Sequence, residues 1–391
     1  MNKYLIVGNG VAGTTAAENI RKNDPDAWIT IVTDEELPFY YRIRLPDFLC
    51  GEVEESNLIA KKKDWYQKNN ITLRLSTKIT DGSIKDKTLL TSSGEKIRFD
   101  RLILANGATP NIPAIPGSDK KGVFTLHCIQ DAKDIISHAG GCEKAVLIGG
   151  GLLGLEAGNG LKKLGLEITV VEFFPRLLPR QLDNEGARRL QSILEDRGFS
   201  FKLDVKSSTI ESNDEVHGIT LENGESIAAD MVVISAGVNP KLDLALKLDL
   251  DCNRGVKVDK QMRTSQPDIF AAGDIVEFEG KTYGIWPAAL EQGKIAGINI
   301  SGGEADYEGT VLSNILKVAG IDLASAGDID EKNHYESKTA SSKTIYKKVV
   351  IDDSKVIGCI MLGDRKNFNR INKAISTGEN ILSDLDSLLT S

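Results

Sequence analysis

The chain lacks paired cysteines. Its five (Cys50, Cys128, Cys142, Cys252 and Cys359) are odd in number, widely spread, and include no Cys-x-x-Cys or Cys-x-x-x-x-Cys spacing. Neither a disulfide framework nor a zinc, iron–sulfur or other metal site is therefore indicated, and isolated thiols read as ordinary core residues. Aromatics are scarce at 6%, against 41% hydrophobic residues overall, a balance that suits an α/β core rather than a β-sandwich. There is no excess of basic charge: the net charge is −8, which argues against a nucleic-acid partner. A long apolar run is also missing. Residues 4–7 (Tyr-Leu-Ile-Val) are too few to span a bilayer, lack a small-residue cleavage site, and lead straight into a glycine turn. They read as a strand of a cytoplasmic protein with no membrane partner.

What is present is a pair of glycine-rich turns of one kind, Gly8-Asn9-Gly10-Val11-Ala12-Gly13 and Gly149-Gly150-Gly151-Leu152-Leu153-Gly154. Each follows a short β-branched or aliphatic run (4–7; 145–148) and precedes a helical stretch (12–22; 152–163). A second such run follows (29–32; 168–171) and ends on an acid: Asp34 and Glu35 in the first case, Glu172 in the second. These are two βαβ units. Strand-like runs that end in small residues, glycine and proline follow at 101–110, with Ala105 and Gly107, and at 231–240, with Gly237, so the halves close alike. A turn-rich stretch through Pro113, Pro116 and Gly117 marks a domain crossing. From about residue 306 the character changes: 349–351 and 356–361 read as a hairpin around Asp352-Asp353-Ser354, and 365–375 as a helix.

Chemistry follows from these turns. Glycine lets the backbone turn tightly and approach a pyrophosphate, which rests on the free N–H groups and partial positive charge of the next helix. Gly8, Gly10 and Gly13, with Ala12, carry that role in the first unit; Gly149, Gly151 and Gly154, with Leu153, carry it in the second. A carboxylate at the end of the second strand accepts ribose hydroxyls. Glu172 would bond a free 2′-hydroxyl and repel a 2′-phosphate, favouring NADH over NADPH, with Arg176 four residues on as the opposing cation. Arg42, after a tyrosine pair, can ion-pair with a pyrophosphate.

The run Thr264-Ser265-Gln266-Pro267-Asp268-Ile269-Phe270-Ala271-Ala272-Gly273-Asp274 resembles the late flavin motif of the FAD-dependent pyridine nucleotide-disulfide oxidoreductases, whose terminal aspartate binds the FAD ribitol. The resemblance covers almost the whole chain. It implies an α/β fold with two Rossmann-like domains, FAD on the first loop and NADH on the second, inserted, one. The boundaries are 1–117 and 244–304 for the FAD domain, 118–243 for the NAD domain, and 305–391 for a small C-terminal α+β domain. Gly273 and Asp274 then join the flavin site, with Trp286 at the start of the following helical stretch beside the isoalloxazine ring. Within the family, the run Tyr40-Tyr41-Arg42-Ile43-Arg44-Leu45-Pro46 is most similar to NADH:rubredoxin oxidoreductases and the flavoprotein portion of assimilatory nitrite reductases.

Departures narrow the chemistry. Relatives that use sulfur place a cysteine pair in the early FAD helix, or a cysteine shortly before the Leu-Pro pair; here that stretch is sulfur-free and Cys50 follows Leu45-Pro46. Related ferredoxin reductases pair a lysine with a glutamate near the flavin. Glu156 matches the glutamate, Asp47 occupies the lysine position, and Arg44 is expected to supply the missing positive charge. The implied activity is hydride transfer from NADH to FAD and onward electron delivery to a small redox protein such as rubredoxin, by a monomer or homodimer. Oxygen or peroxide as acceptor, or service as the electron donor of a nitrite reductase system, are the alternatives. Lys61-Lys62-Lys63 and Lys347-Lys348 are the candidate docking patches for an acidic partner.

Overall fold

A computed structural model describes residues 1–390. Two compact units emerge, each assembled from separated stretches: residues 1–42, 54–109 and 238–310 form one, and residues 43–53, 110–237 and 311–391 the other.

The first unit is built on a parallel five-stranded sheet in the order Ile269–Ala271, Arg101–Leu104, Lys3–Val7, Trp28–Val32, Ile71–Arg74. Its central strands are near-continuous aliphatic runs because both faces are covered, with Leu5, Ile6, Ile31, Leu102 and Ile103 fully or almost fully buried. The helix Val11–Asn23 returns from the first strand and packs against the helix Trp286–Ile300. Small residues set that approach: a Cβ on Gly293 would lie 2.4 Å from the Ala12 carbonyl oxygen, and one on Gly297 2.5 Å from that of Ala16.

The second unit repeats the plan, with a parallel sheet in the order Phe199–Lys202, Glu167–Val171, Lys144–Ile148, Met231–Ile234, Val123–Phe124 and a returning helix at Leu152–Lys163. It also carries an antiparallel five-stranded sheet, Ser313–Val318, Ile321–Gly327, Lys355–Leu362, Tyr346–Asp352, Glu336–Ser341. The hairpin expected at 349–361 is present. The last long helix begins at Phe368 rather than at residue 365 and runs to Thr377. Asp364 delays its start by accepting the Lys366 N–H at 2.8 Å, and Asn367 sits in the left-handed region (φ +68°) just before it.

The predicted docking patch Lys347-Lys348 is not a surface feature. Both residues are 2% exposed. Lys347 Nζ lies 2.7 Å from Asp364 Oδ2, and Lys348 Nζ lies 3.3 Å from Asp183 Oδ2 while donating to the carbonyls of Ile329 and Asp330. Adjacent strand residues point to opposite faces, so two consecutive lysines on an internal strand each need an acid on their own side. Asp183 is a hub: it caps the helix Asn184–Glu195 through the Gly186 N–H (2.9 Å), accepts the Tyr346 hydroxyl at 2.7 Å, and pairs with Lys348.

No cysteine is disulfide-bonded; Cys359 alone among the five is buried, the other four being half-buried. No cluster of metal-ligating side chains and no helix long and apolar enough to cross a membrane occurs among the described residues.

Candidate functional site

Each unit carries its own glycine loop at the carboxyl end of its parallel sheet. In the first, Gly8 adopts φ +111°, its N–H donates to the Val32 carbonyl at 2.8 Å, and a Cβ there would stand 2.0 Å from the Ala105 carbonyl oxygen. Gly13 is required because a Cβ would fall 2.1 Å from the Gly8 oxygen. Gly10, by contrast, faces open space, with nothing within 4 Å of its Cβ position. Two glycines thus close the turn, and the third leaves backbone accessible where a phosphate would rest on the helix start.

Around this loop several buried polar atoms have no protein partner: Asn9 Nδ2, Glu35 Oε2 and Asn106 Oδ1. Their other halves are held. Asn9 Oδ1 accepts the Tyr66 hydroxyl at 2.9 Å, Asn106 Nδ2 donates to the Lys241 carbonyl at 2.9 Å, and Glu35 Oε1 is ion-paired with Arg42. Native proteins seldom bury polar atoms unpaired, so three of them around one loop fit a polar ligand such as the ribose and phosphates of FAD.

Of the two candidate acids, Asp34 turns to Lys241, 3.0 Å away. Burial raises its pKa, but the charge and hydrogen bond of Lys241 outweigh that and the net shift is downward. The Arg42 guanidinium, expected on a pyrophosphate, rests on Glu35. Asp274 follows Gly273, whose φ is +85° and whose N–H donates to the buried Gln292 side chain at 2.9 Å. Burial pushes the Asp274 carboxyl above its ordinary range, with Arg42 opposing. Trp286 opens its helix and stacks on Tyr41, ring centroids 5.7 Å apart, with Phe39 5.8 Å from the indole. Gly107, at φ +69°, also faces open space.

The second loop has the same plan. Gly149 has φ +115° and a Cβ there would stand 2.3 Å from the Ser235 oxygen, a Cβ on Gly154 would stand 2.4 Å from the Gly149 oxygen, and Gly151 and Gly237 face open space. Leu153 is 45% exposed beside it. The acid differs. Glu172 is buried, and both its oxygens accept backbone N–H groups, from Gly150 at 2.6 Å and Phe174 at 2.9 Å.

Near the start of this unit's glycine-led helix, Glu156 stands without an ion-pair partner. Burial first, and the neighbouring Asp47 second, raise its pKa to about 7. The expected Arg44 counter-charge is not there: Arg44 Nε lies 3.4 Å from Asp47 Oδ2 instead, three residues along its own turn, so an aspartate rather than a guanidinium is the charge acting on Glu156. Cys50 donates to the Asp47 carbonyl at 3.4 Å, and burial raises its pKa, which disfavours a reactive thiolate.

Sequence reasoning missed Asn9, Tyr66, Asn106, Phe39 and Tyr41 around the first loop, and Phe173 and Phe174, about half exposed, beside Glu172. The signals were faint: Asn9 and Asn106 occupy the variable positions next to motif glycines, and each works through one polar atom.

Residues 2–293 match the family model described as pyridine nucleotide-disulphide oxidoreductase, and residues 313–379 match that of the rubredoxin NAD+ reductase C-terminal domain. The chain belongs to the pyridine nucleotide-disulphide oxidoreductase family. Membership implies FAD and a pyridine nucleotide, NADH or NADPH, as its redox groups. The chain is 33% identical over 389 residues to the NADH-rubredoxin oxidoreductase of Clostridium acetobutylicum, covering 99% of this chain and 98% of that one. Its similarity to the nitrite reductase [NAD(P)H] of Bacillus subtilis is 37% identity over 373 residues, or 94% of this chain and 46% of the relative. The chain thus spans about half the length of several curated relatives it matches. The crystal structure of NADH:rubredoxin oxidoreductase from Clostridium acetobutylicum superposes with a TM-score of 0.82 at 32% identity, covering 99% of both chains. The fold class read from the sequence is that of this family, and the C-terminal sheet is present.

Proposed function

We propose that the protein is an NADH-dependent FAD reductase that hands electrons to a small redox protein, with rubredoxin the best-supported acceptor. The observation that carries this is the doubling of the glycine loop, each copy closed by two crowded glycines and open at the third. FAD, when bound, supplies hydride acceptance from the nicotinamide and one-electron release to the acceptor. The chain's own residues have the remaining tasks. Asn9, Glu35 and Asn106 offer unpaired polar atoms to the flavin nucleotide, Asp274 its carboxyl, and Gly10 its accessible backbone. Glu172, held in place by two N–H donors, presents the acid that suits an unphosphorylated adenosine ribose and so favours NADH.

No side-chain nucleophile is required, in keeping with a Cys50 whose thiol is held protonated. The five unbridged thiols fit a reducing cytoplasmic setting. Of the proposed basic patches only Lys61-Lys62-Lys63 remains at the surface, and Lys61 is tied to Glu18 at 2.7 Å. The 37% identity to a nitrite reductase supports a second acceptor reading, in which the same electrons go to a nitrite-reducing partner. Anaerobic titration with NADH, followed by mixing with rubredoxin, ferredoxin, a disulfide and oxygen in turn, tests the proposal. Bleaching of the flavin and fast reoxidation by rubredoxin are expected; rapid turnover with oxygen alone would overturn the acceptor assignment, and a colourless protein that takes up no flavin would overturn the whole.

A further inference from the structure

Arg176 lies four residues beyond Glu172, and its segment folds back on the second glycine loop. The Leu178 N–H donates to the Gly150 carbonyl at 3.4 Å, while Leu177 Cδ2 and Glu172 Oε2 stand 2.8 and 3.2 Å from where a Cβ on Gly150 would be. A guanidinium so placed is the group that would attract a 2′-phosphate, the feature that separates NADPH from NADH.

Arg176 is nevertheless withheld. Its Nη2 lies 2.6 Å from Glu331 Oε1 and donates to the Pro179 carbonyl at 3.2 Å, its side chain is only 14% exposed, and its Nε is buried without an acceptor. The neighbouring cations are committed as well: Lys202 to Glu225 at 2.5 Å, and Lys206 to the face of Phe173, 5.0 Å from the ring centroid. Glu331 comes from the C-terminal sheet region, about 150 residues away in sequence, and is itself half exposed.

We infer that Glu331 is a positioning residue that sets nicotinamide-cofactor specificity, by holding Arg176 off the adenosine end of the site and so biasing the protein toward NADH. The inference rests on reading the second loop as the nicotinamide-cofactor site. Removing the carboxylate frees a guanidinium that already prefers charged oxygen ligands, and a phosphate is the strongest such partner a cofactor can bring.

The test is calorimetric titration of the FAD-loaded protein with NAD+ and NADP+, alongside the kcat/KM ratio for NADPH over NADH. Glu331→Ala, Glu331→Gln, Arg176→Ala and the Arg176→Ala/Glu331→Ala double variant are compared. Both Glu331 variants are expected to strengthen NADP+ binding roughly 5- to 10-fold and raise the ratio similarly, and the double variant to return to the starting value. A merely structural role for Glu331 would weaken both dinucleotides together and leave the ratio unmoved. Should Glu331→Ala fold poorly, Glu331→Gln keeps the side-chain volume and carries the same expectation. A protein that binds neither dinucleotide overturns the parent reading and this inference together. One that binds NAD+, but whose Glu331 variants keep the original ratio or whose gain survives loss of Arg176, overturns the inference alone.

Discussion

The two glycine loops have one backbone and two electrostatic characters. Gly8 and Gly149 take nearly the same φ, and both are jammed against a carbonyl of the neighbouring strand's end. The acids beside them part ways: Glu172 has each oxygen held by one backbone donor, whereas Glu35 shares one oxygen with Arg42 and keeps the other buried and unpaired. An acid held by backbone donors is positioned before any ligand arrives. An acid with a buried, unpaired oxygen, like the orphaned amide atoms of Asn9 and Asn106 near it, gains most from a polar ligand that stays bound.

That contrast can be broken at four points. The largest effect belongs to Gly8→Ala and Gly149→Ala, where a methyl would meet backbone at 2.0 and 2.3 Å under a positive φ. Each is expected to cost about 4 kcal/mol or to abolish folding, read as loss of soluble protein or of the denaturation midpoint; equal stability to wild type would show that the loops are not as packed as described. Next comes Glu172→Ala, which strands the Gly150 and Phe174 N–H groups and should destabilise by about 2–4 kcal/mol. Glu35→Ala should cost under about 1 kcal/mol while weakening flavin retention, so denaturant melts of the two variants should differ clearly.

Gly10→Ala and Gly151→Ala place a methyl in open space and should leave the fold intact. They should lower nucleotide affinity by about 10- to 100-fold, separately: flavin loss for the first, NADH loss with flavin retained for the second. Loss of both ligands in either variant would refute the assignment of one nucleotide per loop. The last effect, at Glu156, depends on pH. Its folded pKa of about 7 lies above the ordinary glutamate value, so the folded state holds the extra proton and stability declines as pH rises from the unfolded pKa through 7. Glu156→Gln should therefore stabilise by about 1–3 kcal/mol at pH 8 and change little at pH 4.5; a gain independent of pH would contradict the buried-carboxyl account.

The repeated strand–glycine–helix plan was legible because it rests on short-range signals, and the predicted helix over 152–163 coincides with the observed one. Long-range partners were not. Lys347-Lys348 reads as a solvated pair until Asp183 and Asp364 are brought to either face of its strand. Arg44 seemed the natural mate for Glu156, yet the turn 42–44 aims it at Asp47, a contact set by local backbone geometry. Asn9 and Asn106 escaped notice because a single amide says nothing about which of its atoms will lack company.

The hub at Asp183 carries a lesson for anyone recombining this chain with its relatives. A crossover placed between residues 184 and 346 would separate a helix cap from the tyrosine and lysine that share its carboxylate, leaving an ammonium entombed without its counterion. Chimeras should inherit Asp183, Tyr346 and Lys348 as one cassette, however far apart they stand along the polypeptide.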